Sequence, residues 1–255
     1  MQQLRLFFIA LQFFTRVPIP RWVGFEPAWL QQAVRYFPLV GWLVGLATAG
    51  VYLAAERFWP QPVAVLLSTI AGIWLTGAFH EDGFADTCDG FGGGLTRERV
   101  LEIMKDSRIG AYGAIGIGLL LGLKCVLLTN LPPAAVAGAL LVAHPLSRLA
   151  SVTLIWRMDY AREQGKAKPL AQDMSDADYA IAALTVGLPL LAACYTDWFG
   201  WRGLVAGGVG MLLATFWLAR LFQRRIGGFT GDCLGAVQQL AEVLFYLGLL
   251  ATFAQ

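Results

Sequence analysis

Four acids crowd into nine residues of the stretch GAFHEDGFADTCDGFGGG, residues 77–94: Glu81, Asp82, Asp86 and Asp89. In a helix of about 3.6 residues per turn, Asp82, Asp86 and Asp89 stand at i, i+4 and i+7 and share one face, with Glu81 about a quarter-turn away. Three carboxylates on one face repel, and without a cation they raise one another's pKa values or disorder the segment. A divalent cation removes that conflict. Mg²⁺ takes oxygen ligands, keeps waters, and commonly binds one or two carboxylates together with a substrate phosphate. Gly83, Gly90 and the run Gly92-Gly93-Gly94 suit the same reading, because glycine lets backbone approach a ligand and turn N–H groups towards an anion. The plain alternative is a solvated helix end with ordinary surface acids, and for the off-face Glu81 that alternative is the stronger one.

Positive charge follows directly in LTRERVLEIMKDSRIGAYG, residues 95–113. The pattern predicts a short amphipathic helix with Thr96 as N-cap and Val100, Leu101 and Met104 as its apolar stripe. Lys105, Asp106, Ser107 and Arg108 come near its end, where the two cations are placed to clamp phosphate oxygens. A carboxylate-bound metal beside a basic clamp is the equipment of phosphoryl transfer, which is mostly positioning and electrostatics. A second polar concentration, RRIGGFTGDCLGAVQQLAE at 224–242, sets Arg224, Arg225, Gly231 and Asp232 where they can form another wall of the same site. His144 and Arg148 stand at i and i+4 within an apolar run, and an arginine there is costly enough to suggest a function. Simple topological or structural roles remain open for Lys105, Arg108, Asp106, Arg148, Arg224 and Arg225. The four cysteines form no C-x-x-C pair, and His80-Glu81 is not followed by the second histidine of a zinc-protease motif.

The elements that position these residues are membrane helices. Of the 255 residues, 57% are hydrophobic and 14% charged, against about 25% charged in a soluble domain. The net charge of +2 gives no reason to expect a nucleic-acid partner. Seven stretches approach the length of about 20 apolar residues that a span needs: 36–55, 62–80, 110–130, 134–156, 179–197, 202–221 and 233–253. The expected fold is therefore an all-α polytopic bundle forming a single domain over 1–255. An N-terminal interfacial helix, ended by Pro18 and Pro20, precedes it in place of a cleaved signal peptide. The glycines of the sixth span suit close helix contact in lipid. Fifteen lysines and arginines fall in the N-terminal segment and alternate loops, Arg162, Lys166 and Lys168 among them, and only Arg57 and Arg202 in the opposite turns. By the positive-inside rule the N-terminus and the long loops face the cytoplasm, in a multi-pass protein of the cell's inner membrane.

The landmarks FFTRVPIP, RYFPLVGWLVG, GAFHEDGFADTCDGFGGG, LEIMKDSRIGAYG and RRIGGFTGDCLGA resemble, in order from about residue 8 to about 245, those of the adenosylcobinamide-GDP ribazoletransferases, or cobalamin (5′-phosphate) synthases. The resemblance implies a Mg²⁺-dependent membrane enzyme that joins adenosylcobinamide-GDP to α-ribazole or its 5′-phosphate and releases GMP. It implies catalytic roles for Asp82, Asp86, Asp89, Lys105, Arg108 and Asp232, with Asp82, Asp86 and Asp89 as metal ligands. Gly83, Gly90, Asp106, Ser107, Arg225 and Gly231 would bind substrate, and to these the cost of an in-span arginine adds Arg148 as a substrate-binding candidate. Its partners are the two small-molecule substrates and the lipid bilayer; self-association into a homo-oligomer is compatible with the sequence. Glu81 departs from the family, which usually has an apolar residue in an H-L-D-G run. DGFAD only loosely echoes the CDP-alcohol phosphotransferases, because an Asp stands where their Arg belongs. The rival class is a transporter or channel with an acidic cation site, favoured only by the in-span His144 and Arg148, since no internal repeat is seen. A membrane scaffold without metal dependence is a third class.

Overall fold

The computed structural model describes residues 1–162, 174–196 and 198–253, and among them it is helical with no β-strand beyond one isolated bridge. Lys166 and Lys168 lie outside the described residues. Helix α1 (Gln2–Phe14) turns Leu6, Ile9, Ala10 and Phe14 inwards, onto α2 (Pro27–Ala33) and α3 (Phe37–Ala55). Its end is anchored by rings: Phe14 meets Phe37 at 4.4 Å and stacks on His80 at 5.2 Å. The chain turns at 56–60 and returns as α4 (Gln61–Thr76).

Here the sequence expectation is corrected. The second span does not run on to residue 80, and the acidic stretch does not continue it. Gly77 and Ala78 both adopt left-handed backbone, at φ 67° and 59°. Glycine does so without strain, but a non-glycine residue there is uncommon. Two such residues in succession stop the hydrogen-bond ladder, and α5 (Phe79–Gly93) leaves at 89° to α4. The acids thus ride on a separate helix turned out of the span direction.

Helix α6 (Arg97–Ile103) is the expected short amphipathic helix: the Thr96 hydroxyl accepts from Arg99 N–H, and Val100 and Met104 are buried. Then α7 (Ala111–Asn130) and α8 (Pro133–Arg157) form a hairpin, followed by α9 (Asp176–Thr196), α10 (Gly200–Ile226) and α11 (Gly231–Ala251). Among the described residues, six helical stretches are long and apolar enough to cross a membrane, and α4 joins α5 as a seventh only as a bent pair. The chain is a multi-pass membrane protein. About 78% of the spanning window of α8 and 67% of that of α11 are buried, against 22% for α9 and α10, so the first two form the centre and the others face lipid. Helices α10 and α11 pack together along their length. Gly207 lies against Phe245, and Gly248 against the backbone of Ala206, as the small-residue pattern of the sixth span predicts.

Candidate active site

The site begins where α5 crosses α11. A Cβ on Gly83 would lie 3.0 Å from the Cα and carbonyl oxygen of Asp232, and one on Gly235 would lie 3.0 Å from the His80 carbonyl oxygen. Two glycines on facing helices bring the backbones together, and this draws Asp232, in the first turn of α11, towards the aspartates of α5. Asp82 is exposed, Asp86 half-buried and Asp232 partly covered. Burial, then the neighbouring carboxylates of Asp232, Asp82 and Asp89, push Asp86 up to about 7, while Arg162 works against them. Arg162 Nη2 stands 3.0 Å from Asp232 Oδ2, an ion pair whose arginine side chain is 12% exposed. The Thr230 hydroxyl caps α11 by accepting from Cys233 N–H and donates to Asp232 Oδ2 at 3.3 Å.

The loops around this centre are held by arginines that use backbone acceptors. Arg97 donates to the carbonyls of Ile226 (2.9 Å) and Ala161 (3.0 Å). Ala161 N–H donates to Phe229 O and Phe229 N–H to Asp159 O, so residues 159–161 lie along the turn before α11. Arg225 donates to the Gly94 carbonyl at 2.5 Å and lies over the Phe91 ring. Charge is the visible property of Arg97 and Arg225, but their placement is that of staples.

Asp89 keeps the face that its spacing assigns to it, but its oxygens are engaged there by another helix. It is 8% exposed, and its two oxygens accept from Gly110 N–H at 2.7 Å and Gly113 N–H at 2.8 Å, the opening amides of α7. Cβ atoms on Gly110 and Gly113 would collide with that carboxylate. The expected three-aspartate metal set is therefore not assembled: both Asp89 oxygens cap a helix, which satisfies orphan amides and complements its dipole. Among the described residues, no three acids, histidines or cysteines are gathered around a point that could hold an ion. Gly90 is likewise occupied, since a Cβ there would strike the Met104 side chain of α6.

Lys105, Asp106 and Arg108 border an open cleft of about 860 Å³ shared with Asp89, Gly110 and Tyr112. Asp82, Asp86 and Asp232 do not line it. Arg108 holds Asp106 in a two-pronged ion pair, with nitrogen–oxygen distances of 3.0 and 2.7 Å, and this keeps the Asp106 carboxyl at about 2. Lys105 and Ser107 are exposed. The basic clamp thus opens onto a cleft that Asp89 lines and that Asp82, Asp86 and Asp232 do not. Gly231 opens α11 and lines a small apolar cavity with Phe14, Phe37 and Arg148.

Arg148 is 2% exposed and donates to the His144 carbonyl, inside the bundle. It belongs to a buried polar core that the sequence reading did not anticipate. Glu242 of α11 pairs with Lys124 at 2.6 Å, lies 3.3 Å from His144 Nδ1, and accepts from Gln238 and Tyr246. Lys124 and Glu242 stand in different apolar runs, so only the i, i+4 spacing of Gln238, Glu242 and Tyr246 hinted at a polar stripe.

A family model described as cobalamin-5-phosphate synthase matches residues 6–250. The chain belongs to that family. The adenosylcobinamide-GDP ribazoletransferase of Leptothrix cholodnii is 49% identical over 97% of this chain and 95% of its own length. Proteins of the same name from Ralstonia nicotianae and Shewanella frigidimarina are 51% and 46% identical, covering 97% and 98% of the chain and 95% and 96% of their own lengths. No solved structure matches. Glu81 has a partner across the helix crossing: Gln239 of α11 donates to it at 2.9 Å.

Proposed function

We propose that the chain transfers the cobinamide phosphoryl group of adenosylcobinamide-GDP to α-ribazole or its 5′-phosphate, forming adenosylcobalamin or its 5′-phosphate, and that GMP leaves. The observation that carries this reading is near-half identity, over almost the full length, to proteins named adenosylcobinamide-GDP ribazoletransferase. The ribose hydroxyl of the acceptor attacks the phosphorus that bears the cobinamide arm, the bond from that phosphorus to the GMP oxygen breaks, and a carboxylate takes the hydroxyl proton. Asp232 is the acceptor favoured here, because Asp89 is committed to α7.

The residues fit Mg²⁺ as a two-carboxylate site completed by substrate. Asp82 and Asp86, with Asp232 across the helix crossing, form a surplus of negative charge that adds to burial in raising Asp86 to about 7. Such a donor set is suited to an ion that takes its remaining ligands from phosphate and water. The ion would neutralise charge on the diphosphate as the bond breaks. Open to solvent on the Asp82 side, the centre is reachable by a water-soluble diphosphate. The excess of arginine and lysine at this end of the bundle supports a cytoplasmic orientation in the inner membrane.

Purified protein in liposomes, given both substrates with and without Mg²⁺, tests the activity. GMP appears only with both substrates and the ion. Solute flux without GMP release would instead make it a transporter. A cysteine introduced at Glu56 reacts with an impermeant thiol reagent from outside the cell, and one introduced at Ser107 does not; the reverse pattern would invert the orientation.

A further inference from the structure

We propose that Arg162 is the phosphate-binding arginine of the site: it leaves Asp232 to grip the diphosphate of the nucleotide-activated substrate. This inference rests on the phosphoryl-transfer reading above. Four other arginines have partners of their own. Arg97 is held by the Ile226 and Ala161 carbonyls, Arg225 by the Gly94 carbonyl, and Arg108 by Asp106. Arg148 is enclosed within the bundle, donating to His144 O. Arg162 instead stands among the aspartates themselves, acting electrostatically on both Asp86 and Asp232.

Its present contact is incomplete. At 3.0 Å from Asp232 Oδ2 the guanidinium forms an ion pair through Nη2, yet its buried Nε has no hydrogen-bond partner among the described residues. Buried guanidinium N–H groups rarely stay unpaired. The planar fork matches two phosphate oxygens, which a single carboxylate oxygen met off-axis does not satisfy. The backbone that carries it is fixed by the Ala161–Phe229 and Arg97–Ala161 hydrogen bonds, so the head group can exchange partners without the loop moving. When it turns to phosphate, the Asp232 oxygen it held becomes available to the attacking hydroxyl.

Full-length protein in detergent is compared with Arg162→Ala and Arg162→Lys in two measurements. In the first, GDP is the probe, and its binding is read by calorimetry without turnover. In the second, GMP release is followed with each substrate varied in turn. GDP affinity and kcat/KM for adenosylcobinamide-GDP are expected to fall about 100-fold or more in Arg162→Ala, with KM for α-ribazole within about twofold of wild type. Millimolar guanidinium restores part of the loss in Arg162→Ala, and lysine, a point charge without the fork, restores less than tenfold of it. A merely structural ion pair predicts instead that melting falls, both KM values move together and guanidinium has no effect; that result overturns the assignment, as does unchanged GDP affinity in Arg162→Ala. If Arg162→Ala does not fold, Arg162→Lys carries the same comparison. Wild-type protein that binds GDP but releases no GMP defeats the transferase reading and leaves the Arg162 contact to be judged on GDP alone.

Discussion

Among the single side chains of the candidate site, Asp86 is the carboxyl that burial and three neighbouring carboxylates drive up to about 7. Below that value it carries a proton, which a bound cation must displace. Mg²⁺ half-saturation in the GMP-release assay is therefore expected to fall as pH rises through about 7, by up to about tenfold per unit on the acidic side, and to level off above it. Asp86→Asn removes both the charge and the titration, so Mg²⁺-dependent turnover drops by at least about 100-fold. A Mg²⁺ requirement independent of pH would count against Asp86 as a ligand. Asp106, by contrast, is already held at about 2 by Arg108 and stays ionised throughout that range.

Among elements, α5 and α7 are coupled through one carboxylate. Asp89 acts as a cap supplied from another helix, and Gly110 and Gly113 leave the room it needs. Replacing a capping acid by alanine costs about 0.5–2 kcal/mol, and the two amides left in a buried setting add to that. Asp89→Ala is thus expected to lower the melting temperature in detergent and to reduce kcat because α5 loses its anchor, while Mg²⁺ half-saturation changes little. A large rise in the Mg²⁺ requirement with unchanged melting would return Asp89 to the metal set. The i, i+4, i+7 rule placed Asp89 correctly on the helix face, but facing is not the same as ligation. The α7 amides lie 21 and 24 residues along the chain and compete for the same oxygens.

On the scale of the whole molecule, α11 is the hub. It carries Asp232 at the site, Gln239 to Glu81 of α5, and Glu242 to Lys124 of α7 and His144 of α8. Charges buried this deeply must be paired, and removing one partner leaves the other stranded. Lys124→Met alone or Glu242→Leu alone is expected to destabilise the protein by about 3–5 kcal/mol, and the pair Lys124→Met with Glu242→Leu by much less than their sum. Thermal unfolding of the three variants in detergent checks this. If the double variant is as unstable as the sum of the singles, Lys124 and Glu242 are not coupled to each other. The interior position of Arg148 belongs to this core as well, which explains an in-span arginine without invoking transport.

The sequence by itself determined the all-α membrane bundle, the capped helix α6, the small-residue contact of the sixth span and the family. Each of these is written locally, in hydropathy, helical spacing, a capping residue or an unbroken run of motif. Tertiary structure alone decided where the second span ends, that Asp89 serves α7, that Arg162 rather than Arg225 stands among the aspartates, and that Lys124 meets Glu242. The break at Gly77-Ala78 hung on one alanine taking a left-handed conformation, which composition does not announce. The rest are choices among competing partners: a carboxylate accepts from whichever donor packing brings within about 3 Å. For Glu81 that donor lies 158 residues away, on a helix that two glycines allow to come close.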